Sequence, residues 1–228
     1  MRLATLALFI GCAALLAPVA QAQSVSGQAY GAWVQSPLGT QQSALAVLPE
    51  GTASDGAMVD DAADGMSVPG TLTTEALTGT TSGAIGDAAA AQSVATVFNV
   101  NLLNGLITAS SLTATVSSTS DGAQATSNAL GSTLADLVVN GVQLTAGDAT
   151  IAPNTRITLP GVGYVVLNEQ ILSGDGVTNS GMTVNTIHVY LQSLVGGILD
   201  PLTGRSVGGT LQSTGEIIVG SASSGAAR

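Results

Sequence analysis

The sequence predicts an all-β fold: a mainly antiparallel β-sandwich or jelly-roll-like domain with a long insertion rich in Gly, Ser, Ala and Asp. Three observations lead there. The stretch from Pro153 to Gln192 resolves into three strands in forty residues. Asn-Gly dipeptides at 104–105 and 140–141 sit between alternating runs, the strongest short-range hairpin signal. The composition is 45% hydrophobic but only 3% aromatic, with 29 glycines, so the core must be built from aliphatic side chains and Thr methyls. A β-solenoid is the alternative, weakened because no fixed repeat period is present.

Taken in order, Met1-Arg2, the apolar run Leu3 to Ala17 and the exit Ala20-Gln21-Ala22 read as a secretory signal peptide over residues 1–22, cleaved between Ala22 and Gln23. The apolar run is too short for a permanent membrane span. The sole cysteine, Cys12, lies inside it, so the mature chain is expected to have neither thiol nor disulfide. Phe9-Ile10-Gly11-Cys12 loosely matches a lipoprotein processing site, but the apolar Ala13 to Ala17 that follow place Cys12 in mid-segment.

Residues 23–228 are expected to form a single β domain. Ser24 to Val34 is its first strand, with Tyr30 on one face and Trp33 on the other. Residues 35–92 hold seven of the fourteen acidic residues and show weak periodicity, which predicts a weakly ordered acidic insertion with short strands such as Ala44–Leu48 tucked in. From Ser93, Val94, Thr96, Phe98, Val100 and Leu102 alternate with more polar neighbours. Past Asn104-Gly105, Leu106, Leu112, Ala114 and Val116 share a face. Ala123–Ala129 and Ser132–Val139 lead to the second Asn-Gly turn.

Thr155 to Leu159 points Ile157 and Leu159 to one side. Val162 to Leu167 is a β-branched apolar run read as a strand covered on both faces. Gly174-Asp175-Gly176 turns the chain, and in Met182 to Gln192 the residues Ile187, Val189 and Leu191 oppose Thr186, His188, Tyr190 and Gln192. Ser193 to Ser213 reads as a Gly-rich excursion before a last strand, Glu216 to Ala222.

Removing Arg2 leaves three arginines against fourteen acids and no lysine, about eleven negative charges on the mature chain. Nucleic acid is excluded as a partner, since such binding rests on cationic neutralisation of phosphates. Lysine-dependent chemistry is excluded with it: P-loops, Schiff bases and Ser-x-x-Lys nucleophiles. With one histidine and no mature cysteine, the common zinc ligand sets cannot be assembled, and no cofactor is expected.

The candidate site residues are Glu169, a carboxylate ending an apolar strand; His188, the only histidine; and Trp33, the only tryptophan. Glu169 with Asp175, or with His188, is the pair that glycoside chemistry would need; a carboxylate accepting backbone N–H groups at a turn is the plainer alternative. Trp33, Tyr30, Tyr164 and Tyr190 are the rings available to stack on sugars. Asp60-Asp61-Ala62-Ala63-Asp64-Gly65 has the acid density of a calcium loop but Ala62 where a ligand belongs, so a solvated acidic loop is expected.

Ser26 to Gly31, Gly105 to Ala109, Pro153 to Gln170, Met182 to Val189 and Ile218 to Ala222 resemble, in order and spacing, bacterial choice-of-anchor P family proteins. That resemblance implies an exported or surface-held domain with no activity established for the family. The sequence lacks the cysteines of many relatives and a recognisable C-terminal anchor, so release into the medium or periplasm is expected. The resulting expectation is a structural or adhesive module that is not an enzyme, with envelope or matrix proteins, polysaccharide or its own copies as partners. An extracellular polysaccharide-binding module is the alternative, and a glycoside-acting enzyme using Glu169 the more distant one.

Overall fold

The computed structural model describes residues 23–37, 39–49, 56–200 and 206–228. The expected signal peptide, with Cys12 and Ala22, lies outside them, as do residues 201–205 of the Gly-rich excursion. Every regular element among the described residues is a β-strand.

The chain builds one sheet, crosses to a second, and returns. β1 (Ser24–Ser36), β2 (Gly39–Ser43) and β3 (Ala46–Val47) begin the first sheet. The second takes β4 (Ala57–Ala63), β5 (Met66–Val68), β6 (Leu72–Thr74), β7 (Leu77–Ile85), β8 (Ala89–Leu102), β9 (Ile107–Ser120), β10 (Ala125–Asn128), β11 (Thr133–Ala135), β12 (Val138–Val139), β13 (Val142–Gln143) and β14 (Asp148–Ala149). β15 (Thr155–Leu159), β16 (Gly163–Gly174), β17 (Asn179–Leu199) and β18 (Ser206–Ala227) complete the first. The seven-stranded sheet runs β15-β16-β17-β18-β1-β2 with β3 also on β1, and the other sheet has eleven strands. All pairings are antiparallel, neither sheet closes into a barrel, and the architecture is an all-β sandwich.

The hairpins follow from local chemistry. Asn140 and Gly141 both have positive φ (51° and 75°) between β12 and β13, the geometry that a two-residue turn matching strand twist requires. Leu103, Asn104 and Gly105 likewise turn β8 into β9. At one end of the sandwich the core is aliphatic, with Leu72, Leu77, Leu102, Ile107, Leu112, Leu167, Ile187 and Ile217 buried; each such side chain contributes roughly 1.5–3 kcal/mol. Toward the other end it narrows to Ala29, Ala95, Ala114, Val184 and Ala222, then to hydroxyls. Ser93 donates to the Ser223 carbonyl at 2.7 Å, and Ser118 lies 2.8 Å from the hydroxyls of both Ser224 and Ser127. Among the described residues no buried side-chain polar atom lacks a partner, so this polar end avoids the desolvation cost of unpaired groups.

Both sheets break the period-two rule along a transverse line. Core residues lie three apart, rather than two, at Ala29/Ala32, Val184/Ile187 and Val219/Ala222 in the first sheet, and at Val97/Val100, Ala109/Leu112 and Leu134/Leu137 in the second. Strand registers continue across the break without offset. On each line sit left-handed residues: Asn168 (φ 48°) and Gly220 (φ 67°) in one sheet, Asn99 (φ 50°) and Asp136 (φ 49°) in the other. One such residue in a strand swaps which face its successors occupy, and Asn, Asp and Gly tolerate the conformation best.

This break corrects several expectations. Tyr30 and Trp33 share the outer face, because the slip falls at Gly31 and Ala32 between them. Phe98 points outward, 44% exposed, while Val100 and Leu102 beyond Asn99 point inward. Thr186 is buried, its hydroxyl donating to the Val219 carbonyl at 2.6 Å, and Asn185 takes the place beside His188. In β16, Val165 and Leu167 are buried, while Tyr164 and Val166 on the other face are only half-covered.

The expected weakly ordered insertion at 35–92 consists, where described, of β2 to β7 and the start of β8. Its inward positions include Leu77, Gly79 and Thr81, and small inward residues carry the alternation too weakly for hydrophobicity to reveal it. A Cβ on Gly79 would lie 2.6 Å from the Ala44 carbonyl oxygen and 2.8 Å from that of Ala29, so the small residue is what lets the sheets meet. The Ser193–Ser213 excursion is strand at 193–199 and 206–213: β17 and β18 keep pairing from Gln192↔Ser213 to Leu199↔Ser206. Asp60 and Asp61 lie in β4, not in a loop, and Asp61 accepts the Leu45 backbone N–H at 2.8 Å.

Candidate functional site

The outer face of the seven-stranded sheet gathers all three candidates. β16 supplies Glu169, β17 supplies Asn185, His188 and Tyr190, and β18 supplies Glu216 and Ser221; β1 adds Tyr30 and Trp33. Register explains the grouping: Glu169 pairs with Asn185, Asn185 with Ser221 and Ser221 with Tyr30, while His188 pairs with Ile218 and Ile218 with Trp33.

The Glu169 carboxylate is saturated. Its Oε2 accepts from Asn185 Nδ2 and His188 Nδ1, each at 2.7 Å, and its Oε1 accepts from the Tyr190 hydroxyl at 2.8 Å. The Glu169 side chain is 12% exposed and that of His188 8%. His188 Nε2 lies 3.1 Å from Glu216 Oε2, so the imidazole bridges carboxylates from strands on either side of its own. With its ring protonated, both nitrogens donate.

Burial raises the Glu169 pKa, but the hydrogen bonds from His188, Asn185 and Tyr190 outweigh it and hold the carboxyl at about 2. Tyr190 moves the other way: burial and its bond to Glu169 push its hydroxyl well above the usual phenol range. Burial also raises the Tyr30 hydroxyl, despite its bond to Ser221. A general acid needs a carboxyl pushed upward toward the working pH; Glu169 is pushed downward. The arrangement clamps three strands through charge-assisted hydrogen bonds.

The rings form a pile rather than a platform. Tyr164 and Tyr190 stack with centroids 4.6 Å apart, Tyr190 and His188 with centroids 3.9 Å apart, and the Arg156 guanidinium sits 3.7 Å above the Tyr164 ring. Neighbours thus cover both faces of Tyr190, and the two tyrosines turn edges rather than faces to solvent. Trp33 stands apart, half-exposed, across from Gln42 of β2.

Of the pairs that sequence suggested, Glu169 and His188 are in contact. Asp175 is spent on its own turn: its Oδ1 accepts from the N–H groups of Val177, Thr178 and Asn179, and those bonds with the Thr178 hydroxyl depress its pKa strongly. Asn185, Glu216 and Ser221 escaped sequence reasoning. The available signal was Asn168, a left-handed-tolerant residue amid an apolar run. Among the described residues no three His, Cys, Asp or Glu are grouped to hold a metal ion, and no helix is long and apolar enough to cross a membrane. A surface depression of about 670 Å³ lies on the other sheet between Met58, Ala90 and Ser117.

No family model and no curated protein matches the chain. Among solved structures, the crystal structure of Neisserial surface protein A aligns over 91% of this chain and 100% of its own, at 12% identity and a TM-score of 0.18. At that score the two do not superpose as one fold.

Proposed function

We propose that the chain is an exported structural or adhesive β-sandwich that holds envelope or matrix material by its surface and does not turn over a substrate. The observation that carries this reading is the saturation of the Glu169 cluster. Its carboxylate has three donors and a pKa of about 2, so its polar atoms are committed to joining β16, β17 and β18. The sequence resemblance to choice-of-anchor P family proteins and the signal-peptide pattern support export, with the mature chain secreted, periplasmic or surface-held.

Fractionation of the native host with intact-mass measurement tests this. The expected species begins at Gln23, is found outside the cytoplasm, and is retained by isolated envelope or matrix material. A cytoplasmic chain with an intact N-terminus, or turnover of a glycoside that Glu169→Gln abolishes, would overturn the reading.

Polysaccharide is the second reading for what is held, favoured by half-exposed Trp33 beside Gln42 on the outer face. Stacking of one such ring on a sugar calls for a face open to solvent. Trp33→Ala is expected to abolish co-sedimentation with an insoluble glycan and leave the thermal midpoint within a few degrees. Unchanged retention would remove polysaccharide stacking and leave a protein partner.

A further inference from the structure

Beyond Leu191 the last two strands leave the sandwich. β16 stops pairing with β17 at Gly163↔Leu191, and β1 stops pairing with β18 at Gln35↔Glu216. β17 and β18 continue alone to Leu199↔Ser206, with an irregularity after Leu191. The result is a two-stranded ribbon, residues 192–199 against 206–213, with no further strand on either edge among the described residues. Such a ribbon is marginal by itself in water, and open edges are templates for another strand.

Its chemistry differs from that of the rest of the molecule. Val195 is 49% exposed, Ile198 74% and Leu211 49%. Between Gln192 and Ser213 the charges are Asp200 and Arg205, which cancel, in a chain of formal charge −10. Asp87, Asp121 and Asp175 lie in turns at the opposite end, where Arg228 donates to the carbonyls of Asp87 and Asp121. Neither 192–199 nor 206–213 carries a charged residue, so two copies of an acidic protein can meet at the ribbon's strands without placing like charges side by side.

We infer that the ribbon is a self-association element, in which the β17 edge of one copy pairs antiparallel with the same edge of a second copy about a two-fold axis. This deepens the adhesive reading by naming a partner. Antiparallel pairing of one segment with itself is self-complementary and closes as a dimer. The β17 edge is chosen over that of β18 because it carries two exposed aliphatic residues, Val195 and Ile198, against Leu211 on β18, and one left-handed glycine, Gly196, against the consecutive pair Gly208 and Gly209. A lipid surface fits poorly, since unpaired backbone groups cost several kcal/mol each in hydrocarbon; a strand satisfies them.

Gln192 N–H already donates to the Val162 carbonyl, so the seven residues 193–199 give an edge of roughly 24 Å at about 3.4 Å per residue. With side chains on both faces, that buries on the order of 800–1,000 Å² in total, at the low end for specific interfaces. The dimer is thus weak, half-formed at roughly tens to hundreds of micromolar rather than nanomolar.

Sedimentation of the purified chain from about 1 µM to about 1 mM, at low and high salt, tests the inference without any envelope material. The expected result is a mass rising toward twice that of the monomer, earlier at high salt because the global repulsion is screened. Val195→Lys with Ile198→Lys places charge on the edge while lowering the net negative charge by two, so general electrostatics would favour association. The variant is expected to stay monomeric with an unchanged thermal midpoint. A wild-type chain that stays monomeric throughout, a lysine variant that dimerises as well, or ribbon-dependent binding to phosphatidylcholine vesicles in place of dimerisation would each overturn the proposal. Envelope retention by a monomer would refute dimerisation alone and leave the adhesive reading standing.

Discussion

Glu169→Gln, followed by denaturation across pH, measures directly what the clamp contributes. The free carboxyl titrates near 4.5 and the folded one at about 2, a depression of about 2.5 units. At 1.36 kcal/mol per unit, the linkage ceiling is about 3.4 kcal/mol. The cluster lies on an outer sheet face in partial contact with water, and screening there reduces the expectation to roughly 1–2 kcal/mol. A folded pKa below the unfolded one gives stability fully present above about pH 4.5 and lost as pH falls through about 2. Urea midpoints, read from the fluorescence of Trp33, are expected to lie about 0.5–1 M lower for the glutamine variant at pH 6, taking a slope near 2 kcal/mol per M. That gap should close by pH 2. Asp121, Asp136 and Asp175 are also depressed by hydrogen bonds, so both proteins weaken in acid, and only their difference reports Glu169. A gap that stays constant from pH 6 to pH 2 would refute the idea that ionised Glu169 stabilises the clamp.

Gly220→Ala puts a Cβ 2.5 Å from Thr186 Oγ1 at a φ of 67°. A loss of roughly 2–3 kcal/mol in denaturant titration is expected from the strained backbone and the displaced hydroxyl. Leu112→Ala empties a fully buried position and is expected to cost about 3–4 kcal/mol, whereas Ala114→Gly on the same strand should cost about 1. Ser118→Ala removes the hydroxyl that joins Ser127 and Ser224; a loss of about 1–3 kcal/mol, with amide exchange accelerating around residues 118–127 and 180, would show that the polar end is held by hydrogen bonds.

Strand existence was legible where β-branched alternation and Asn-Gly turns act within a few residues, and hidden in 35–92 and 193–213, where small and Gly-rich residues blunt the alternation. Which face each strand buries was legible only up to the nearest left-handed residue. Thr155 to Leu159 has none, and its inward Ile157 and Leu159 are where alternation puts them. β8 has Asn99, so counting by twos from Leu102 puts Phe98 inward when it is outward. The same limit applied to the site. Glu169 and His188 stood out singly as an unusual acid and the only histidine, but their contact requires the slip at Asn168 and Thr186. Glu216 looked like a strand-opening acid, and its role depends on β18 lying beside β17, a pairing set by the long hairpin rather than by local pattern.

The slip also explains why the clamp sits where it does. Where alternation breaks, Asn168 and Gly220 adopt left-handed φ, and the 168/186 and 186/220 positions drop out of the regular ladder. Those strands need other ties at that level. Asn168 donates to the Ile151 carbonyl at 2.7 Å, and Thr186 reaches the Val219 and Gly220 carbonyls from inside. From outside, Asn185 joins Glu169 to Ser221, whose hydroxyl donates to Asn185 Oδ1 at 2.7 Å, and His188 joins Glu169 to Glu216. Side-chain bonds thus replace, strand by strand, the backbone bonds that the slip removes. On this account the charged cluster and the left-handed line are one structural device, and Glu169→Gln combined with Gly220→Ala should cost measurably more or less than the sum of the two, rather than adding as independent sites do.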